Sequence, residues 1–515
     1  MKKIIASILL VVIMLTGVLG MLAGCGGGNQ KADFVMPEGG YDGSAVTIKF
    51  YHSMGGQLQA ILNTAIEDFN VLYPNITVEH ESYGDYDGVR NQIKTEISIG
   101  DAPNLAYCYA DHVALYNVAG AVQTLDVFID DPEYGFTDEQ LDDFIEGYYN
   151  EGKAFGDGKM YTLPISKSTE VLYYNRSFFE VCQKIYTSDI ELDMKGNPVY
   201  QTDENGEYIL VDGEKQTKPN PNKGNENYNI SVPTTWEQMK EVCRKIKTID
   251  PTCIPLGYDS ESNWFITMCE QYGSPYTSAT GENFLFDNET NRAFVKEFRT
   301  WFENKWVTTE ALSGGYTSAL FTGTSSSGET VSTRCYMCIG STGGATYQQP
   351  SQTNGVFEFE VGITSIPQVN PEEPKVISQG PSICIFKKNN PQEVLATWLF
   401  AKFLTTDVAF QGAVSMSNGY APVIKSVAEN EAYAEFLASA DEDGTANIQA
   451  YAVKVALAQE AAYYASPAFN GSSDARDQVG LLIQKCFTLE ATDVDAAIKK
   501  AFEDAVAQAK YLSGQ

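Results

Sequence analysis

Histidine is the scarcest reactive side chain in this sequence: of 515 residues only three are histidine, at His52, His80 and His112. So small a supply leaves little for a histidine-rich metal centre or for general-base catalysis by imidazole. The familiar enzyme signatures are missing as well. There is no H-E-x-x-H, no phosphate-binding P-loop and no G-x-S-x-G; Ser325-Ser326-Ser327-Gly328 reads as a loop run. A glycosidase needs only two facing carboxylates, so that alternative stays open on sequence grounds. Positive charge is also short, with 35 basic against 67 acidic residues and a net charge of -32. A nucleic-acid partner wants a basic stripe and is excluded as a working assumption. The acidity suits a soluble exported chain. Ten cysteines do not make a disulfide framework. Once Cys25 is set aside an odd number remains, and Cys108, Cys243, Cys269, Cys384 and Cys486 lie inside apolar runs, as small core residues do. Cys335 and Cys338 form a C-x-x-C in a strand-like run, where an offset of three sends the thiols to opposite faces.

A long apolar run occurs only at the start. Lys2 and Lys3 precede Ile4 to about Val18, and Leu22-Ala23-Gly24-Cys25 follows. That is the bacterial lipoprotein signal pattern, with 1–24 as signal peptide and Cys25 as the acylated residue of the mature chain. The run is marginal in length for an uncleaved transmembrane helix. Residues 25–44 are polar and glycine-rich and read as a flexible tether from a lipid anchor in the cell membrane.

The remainder is long for one domain and suits two. Val46, Ile48 and Phe50 alternate as a strand, and Leu58, Ile61, Leu62, Ala65, Ile66 and Phe69 follow at helical spacing. A strand over 76–78, a helix over 86–99 and a strand over 104–109 continue the alternation of a parallel sheet with helices on its faces. Thr137-x-x-Gln140 is a capping box for a helix carrying Leu141, Phe144, Ile145 and Tyr148. Thr235 caps another helix, Pro391 sits in a first helical turn, and Asp493 opens the last helix. The fold class is α/β. Residues 184–230, dense in Gly, Asn, Asp, Glu, Lys and Pro, read as a polar insertion with a small hairpin turning at Asn205-Gly206.

Several segments, in order over nearly the whole mature chain, resemble the extracellular solute-binding proteins (family 1) of ABC sugar importers. They are Phe69-Asn70-x-x-Tyr73-Pro74-x-Ile76-x-Val78, Gly100-Asp101-Ala102-Pro103-Asn104, Ala119-Gly120-Ala121-Val122, Gly158-Lys159-Met160-Tyr161-x-Leu163-Pro164, Leu172-Tyr173-Tyr174-Asn175-Arg176 and Pro233-Thr234-Thr235-Trp236-Glu237. The resemblance implies the two-lobed periplasmic-binding-protein-like fold (class II) with a hinge between lobes. It places the first lobe at 45–163 plus 383–422 and the second at 164–382 plus 423–515. Crossings fall near Leu163–Ser166, Gly380–Ser382 and Ala421–Val423.

Within the family, His52-Ser53-Met54-Gly55 looks most like the glycerol-3-phosphate-binding branch. Carried over position by position, that branch's pocket falls on Tyr86, Ser168, Ser341, Thr342, Gly380 and Tyr420. Two positions depart. The acidic residue after the third strand falls on Ala110, with Asp111 one place later, and the expected arginine falls near Phe469. A phosphate dianion wants a guanidinium opposite it, so the expectation shifts to an uncharged mono- or oligosaccharide, with glycerol-3-phosphate or a glycerophosphodiester as the alternative. Ligands of open α/β sheets sit beyond the carboxyl ends of strands, which adds His52, Ser53, Asp111, Asp259 and Trp264 as candidates. The resemblance implies a monomer that catalyses nothing, uses no cofactor or metal, and delivers its solute to a permease and an ATPase on separate chains.

Overall fold

The computed structural model describes residues 32–325, 327–440 and 447–515, so Cys25 and the signal segment lie outside the described residues. The chain opens on β1 (Val46–His52), which turns Ile48, Phe50 and His52 to one buried face. Helix α1 (Gly56–Leu72) packs Leu62, Ala65 and Phe69 against that face. β2 (Ile76–Ser82) and β3 (Leu105–Cys108) flank β1 in parallel, and α2 (Tyr86–Ile99) links them. Asp85 caps α2, its side chain accepting from the Gly88 N–H.

β4 (Leu163–Pro164) then ends the first sheet and β5 (Ser168–Asn175) begins the second. The second sheet takes β6 (Leu256–Tyr258), β7 (Val307–Thr309), β8 (Met337–Ser341), β9 (Val361–Ser365) and β10 (Val376–Gln379). The chain recrosses at 380–381 into β11 (Ser382–Ile385), and β12 (Tyr463–Tyr464) closes the far edge of the second sheet. The first sheet runs β2-β1-β3-β11-β4 and the second β12-β10-β5-β8-β6-β7, with β9 also pairing β5. β5 is antiparallel to β8, β9 and β10, while β8, β6 and β7 run parallel. Each sheet has its own core, around Phe69, Leu105, Trp398 and Phe400 in the first lobe and around Met239, Leu256, Phe265 and Ile339 in the second. The architecture is α/β and two-lobed, joined where the backbones of Lys167 and Ala421 exchange two hydrogen bonds (3.1 and 2.6 Å).

Four boundaries differ from the sequence reading. The segment expected to be a tether is docked well before Ser44. Phe34 stacks on Phe128 (4.6 Å between centroids), its N–H donates to Gln123 Oε1 (3.0 Å), and Tyr41 meets the edge of Tyr73. The capping box at Thr137 is present, but its helix stops at Asp143 because Phe144 turns extended and pairs with Ile424. That pairing, with Ile424, Val427 and Tyr433 buried in the first lobe's core, assigns 423–438 to the first lobe. The insertion begins only after the helix ending at Thr187; within it the expected turn at Asn205-Gly206 forms, with Thr202 bridged antiparallel to Tyr208, and a second turn at Asp212-Gly213 pairs Leu210–Val211 with Glu214–Lys215. Among the described residues no helix is long and apolar enough to cross a membrane.

Candidate functional site

The carboxyl ends of strands from both lobes meet beside the crossings, and most of the sequence-derived candidates gather there. From the first lobe, Tyr86 opens α2, and its ring lies 4.7 Å from that of Tyr109, just past β3. The Tyr86 hydroxyl faces that of Tyr420, which the third crossing brings up. Tyr420 also covers the glycine after Ser341-Thr342: a Cβ at Gly343 would lie 2.8 Å from its ring, so the ring rests on bare backbone. Burial raises the hydroxyl pKa of Tyr86, Tyr109 and Tyr420, keeping all three as neutral donors.

The second lobe contributes the start of β5 and its neighbours. Ser168 is paired in register with Gln379, Glu170 with Ser341, and the Thr169 N–H donates to Thr342 Oγ1 (3.3 Å). Gly380 holds the second crossing at φ +98°, and a side chain there would strike the Ser166 carbonyl at 2.6 Å. Glu170 is 1% exposed and accepts from Tyr258 Oη (2.7 Å) and Asn263 Nδ2 (3.1 Å). Burial lifts its carboxyl to about 7, against the opposing pull of those two donors. Asn263 also donates to Gln379 Oε1 (2.8 Å) and accepts from Arg476 Nη1 (2.6 Å). Arg476 Nε lies 3.8 Å from Asp111 Oδ2 of the first lobe. A continuous polar chain thus runs Tyr258, Glu170, Asn263, Arg476, Asp111, and its last link spans the two lobes.

Five candidates stand elsewhere or are already engaged. His52 is enclosed in the first lobe. Its Nδ1 accepts from the Met54 N–H (3.1 Å), its Nε2 meets His80 Nδ1 (2.9 Å), and burial followed by the His80 charge lowers its pKa to about 4. Neighbouring Ser53 is half-buried but has no part in the tyrosine cluster. Trp264 is 2% exposed and packs 4.2 Å from Phe298, with Phe294 and Phe487 around it, which makes it a core residue. Phe469 is buried against Phe284 (5.6 Å), so the position where an arginine was sought is apolar. The guanidinium arrives instead seven residues on, from Arg476. Asp259 sits at the end of β6, but Thr317 holds one carboxylate oxygen through its N–H and hydroxyl (both 2.7 Å).

Sequence reasoning therefore missed Tyr109, Glu170, Asn263, Gln379 and Arg476. Asn263 directly precedes Trp264, which was a candidate. Among the described residues no group of three or more His, Cys, Asp or Glu is arranged to hold a metal ion. The polar chain and tyrosine planes instead offer hydroxyl-binding rims beside flat apolar faces.

Comparison with known proteins agrees with this architecture. Residues 64–441 match the bacterial extracellular solute-binding protein family. The sn-glycerol-3-phosphate-binding periplasmic proteins UgpB of Salmonella typhimurium and Escherichia coli K12 are each 26% identical over 137 residues, 27% of this chain. The match spans 31% of those relatives' own length. UgpB from Mycobacterium tuberculosis, solved with glycerophosphocholine, superposes with a TM-score of 0.64 at 15% identity, over 91% of this chain and 98% of that one. The cyclic alpha-maltosyl-1,6-maltose binding protein of Arthrobacter globiformis gives 0.62 at 16% identity, over 91% and 100%. With its family match running well past half its length and its two lobes meeting at a polar cleft, the chain belongs to the bacterial extracellular solute-binding protein family.

Proposed function

We propose that this protein is the solute-capturing component of an ABC importer and takes a mono- or oligosaccharide between its lobes. The observation that carries the reading is the convergence of Tyr86, Tyr109 and Tyr420 with Asp111, Asn263 and Arg476 at the strand ends of both lobes. Pyranose rings present apolar faces to aromatic planes and hydroxyl rims to carboxylates, amides and guanidinium groups. Permease and ATPase are then separate chains, Cys25 carries the lipid that keeps the monomeric protein at the membrane, and the step is binding without catalysis.

Arg476 favours a second reading, a glycerophosphodiester or glycerol-3-phosphate, because it supplies the guanidinium that the position of Phe469 lacks. Asp111 and Asn263 already engage that cation, which is why the neutral sugar is preferred. A thermal-shift screen over sugars and glycerol phosphates separates the two. A ligand at a hundred times its Kd stabilises by about 2.7 kcal/mol. Neutral saccharides are expected to raise Tm. Stabilisation by phosphorylated ligands alone would overturn the sugar assignment.

A further inference from the structure

A second arginine crosses the same divide in the opposite direction. Arg90 stands on α2 of the first lobe, and its side chain is 14% exposed. Its Nη1 donates to Ser473 Oγ (2.8 Å) and lies 3.7 Å from Asp477 Oδ2, while its Nη2 is 3.3 Å from Asp87 of its own helix. Ser473 and Asp477 belong to the opening turns of the second-lobe helix Ser472–Thr488, which also carries Arg476. Arg476 points back into the first lobe at Asp111. The two guanidiniums form a reciprocal clasp, each rooted in one lobe and held by acceptors of the other.

A cation beside a helix N-terminus is ordinarily unfavourable, because the exposed N–H groups carry partial positive charge. Here Asp474 and Asp477 supply compensating negative charge on the same turns. Burial raises both carboxyls; Lys94 and then Arg90 draw Asp474 down, and Arg90 draws Asp477 down. An exposed surface ion pair contributes little. Arg90 differs in being largely buried and in joining the two lobes.

We propose that Arg90 is a positioning residue for solute capture: it holds the helix bearing Arg476 against the first lobe, so that the guanidinium is presented to Asp111 and the closed arrangement is favoured. Only the affinity part of this inference rests on the solute-binding reading. The test uses the full mature chain with spin labels at Glu67→Cys and Thr248→Cys, one exposed position on each lobe, and measures their distance distribution by double electron resonance without added solute. Arg90→Ala is expected to lengthen and broaden the distribution, Arg90→Lys to restore part of it, and Asp477→Asn, a milder change at a half-exposed position, to shift it the same way by less. Binding of whichever saccharide or glycerol phosphate the wild type takes should weaken about tenfold in Arg90→Ala, with the melting temperature of the solute-free protein held within a degree or so. An unchanged distance distribution in both Arg90→Ala and Asp477→Asn overturns the proposal. Should none of the screened solutes bind wild type, the sugar reading fails while the distance measurement still decides this one.

Discussion

Replacing Glu170 by Gln should remove a slope from the protein's pH–stability curve. The Glu170 carboxyl is buried near the start of β5, and burial pushes it up to about 7 in the folded protein, against an ordinary value of 4.5. Between those two values the folded chain holds a proton that the unfolded chain has released. Stability therefore falls as pH rises through the window, is flat below 4.5, and is flat again above 7. A shift of this size corresponds to about 3 kcal/mol at roughly 1.4 kcal/mol per pH unit. Glutamine keeps the shape but meets Tyr258 and Asn263 less well, a loss of about 1 kcal/mol at every pH. The variant should be about 1 kcal/mol less stable than wild type near pH 4.5 and about 2 kcal/mol more stable near pH 8. Urea unfolding followed by tryptophan fluorescence measures this, because Trp236, Trp264 and Trp301 lie in the core of the lobe that contains Glu170. Curves for wild type and Glu170→Gln that stay parallel from acid to mild alkali would refute the assignment of that proton to Glu170.

Two further outcomes follow from other buried groups. Lys167 is 1% exposed and pairs with Glu151, while donating to the Gly380 carbonyl (3.3 Å) and Ser382 Oγ (3.2 Å). Lys167→Ala strands the Glu151 carboxylate and should cost about 3–5 kcal/mol in urea unfolding, with Lys167→Met plus Glu151→Leu recovering most of it; a loss below about 1 kcal/mol for the single change would contradict the pairing. For His52, burial favours the neutral ring and lowers the pKa from 6.5 to about 4, so its contribution is lost as pH falls through that interval, opposite in sign to Glu170. The imidazole carbon-proton signals of His52 should stay unshifted in NMR from pH 8 to about 5, and a midpoint near the ordinary value would show the ring to be open to water.

The alternation of strands and helices was legible because it is written locally. Thr137, Thr235 and Asp493 announce their helices through side chains that accept from N–H groups three residues on, and all three do so. What escaped depends on distant partners. The helix after Thr137 breaks because Phe144 finds Ile424, which no local pattern foretells. His52 was expected beyond the carboxyl end of its strand, yet β1 runs on to include it, and strand alternation sends it inward with Ile48 and Phe50. Trp264 and Asn263 are adjacent on a helix that Ser260 caps, so they point about a quarter-turn apart, one into the Phe298 core and the other to Glu170. Chain order puts the expected arginine at Phe469, which is buried against Phe284, whereas the guanidinium beside Asp111 comes from Arg476 on the next helix. Tyr86, Ser168, Ser341, Thr342, Gly380 and Tyr420 were located through family resemblance, and the structure gathers them at the crossings.

The nine cysteines among the described residues, every one of them buried and unpaired, have a consequence outside solute capture. Burial raises the thiol pKa of Cys108, Cys243, Cys269, Cys335 and Cys338, so the nucleophilic thiolate is suppressed as well as shielded. Cys108 and Cys384 are in the first lobe, and Cys182, Cys243, Cys253, Cys269, Cys335, Cys338 and Cys486 are in the second. Each thiol is a latent chemical clock. It becomes alkylatable only during excursions that unpack its surroundings, so the rates of modification at individual cysteines would rank the lobes by how often each comes apart.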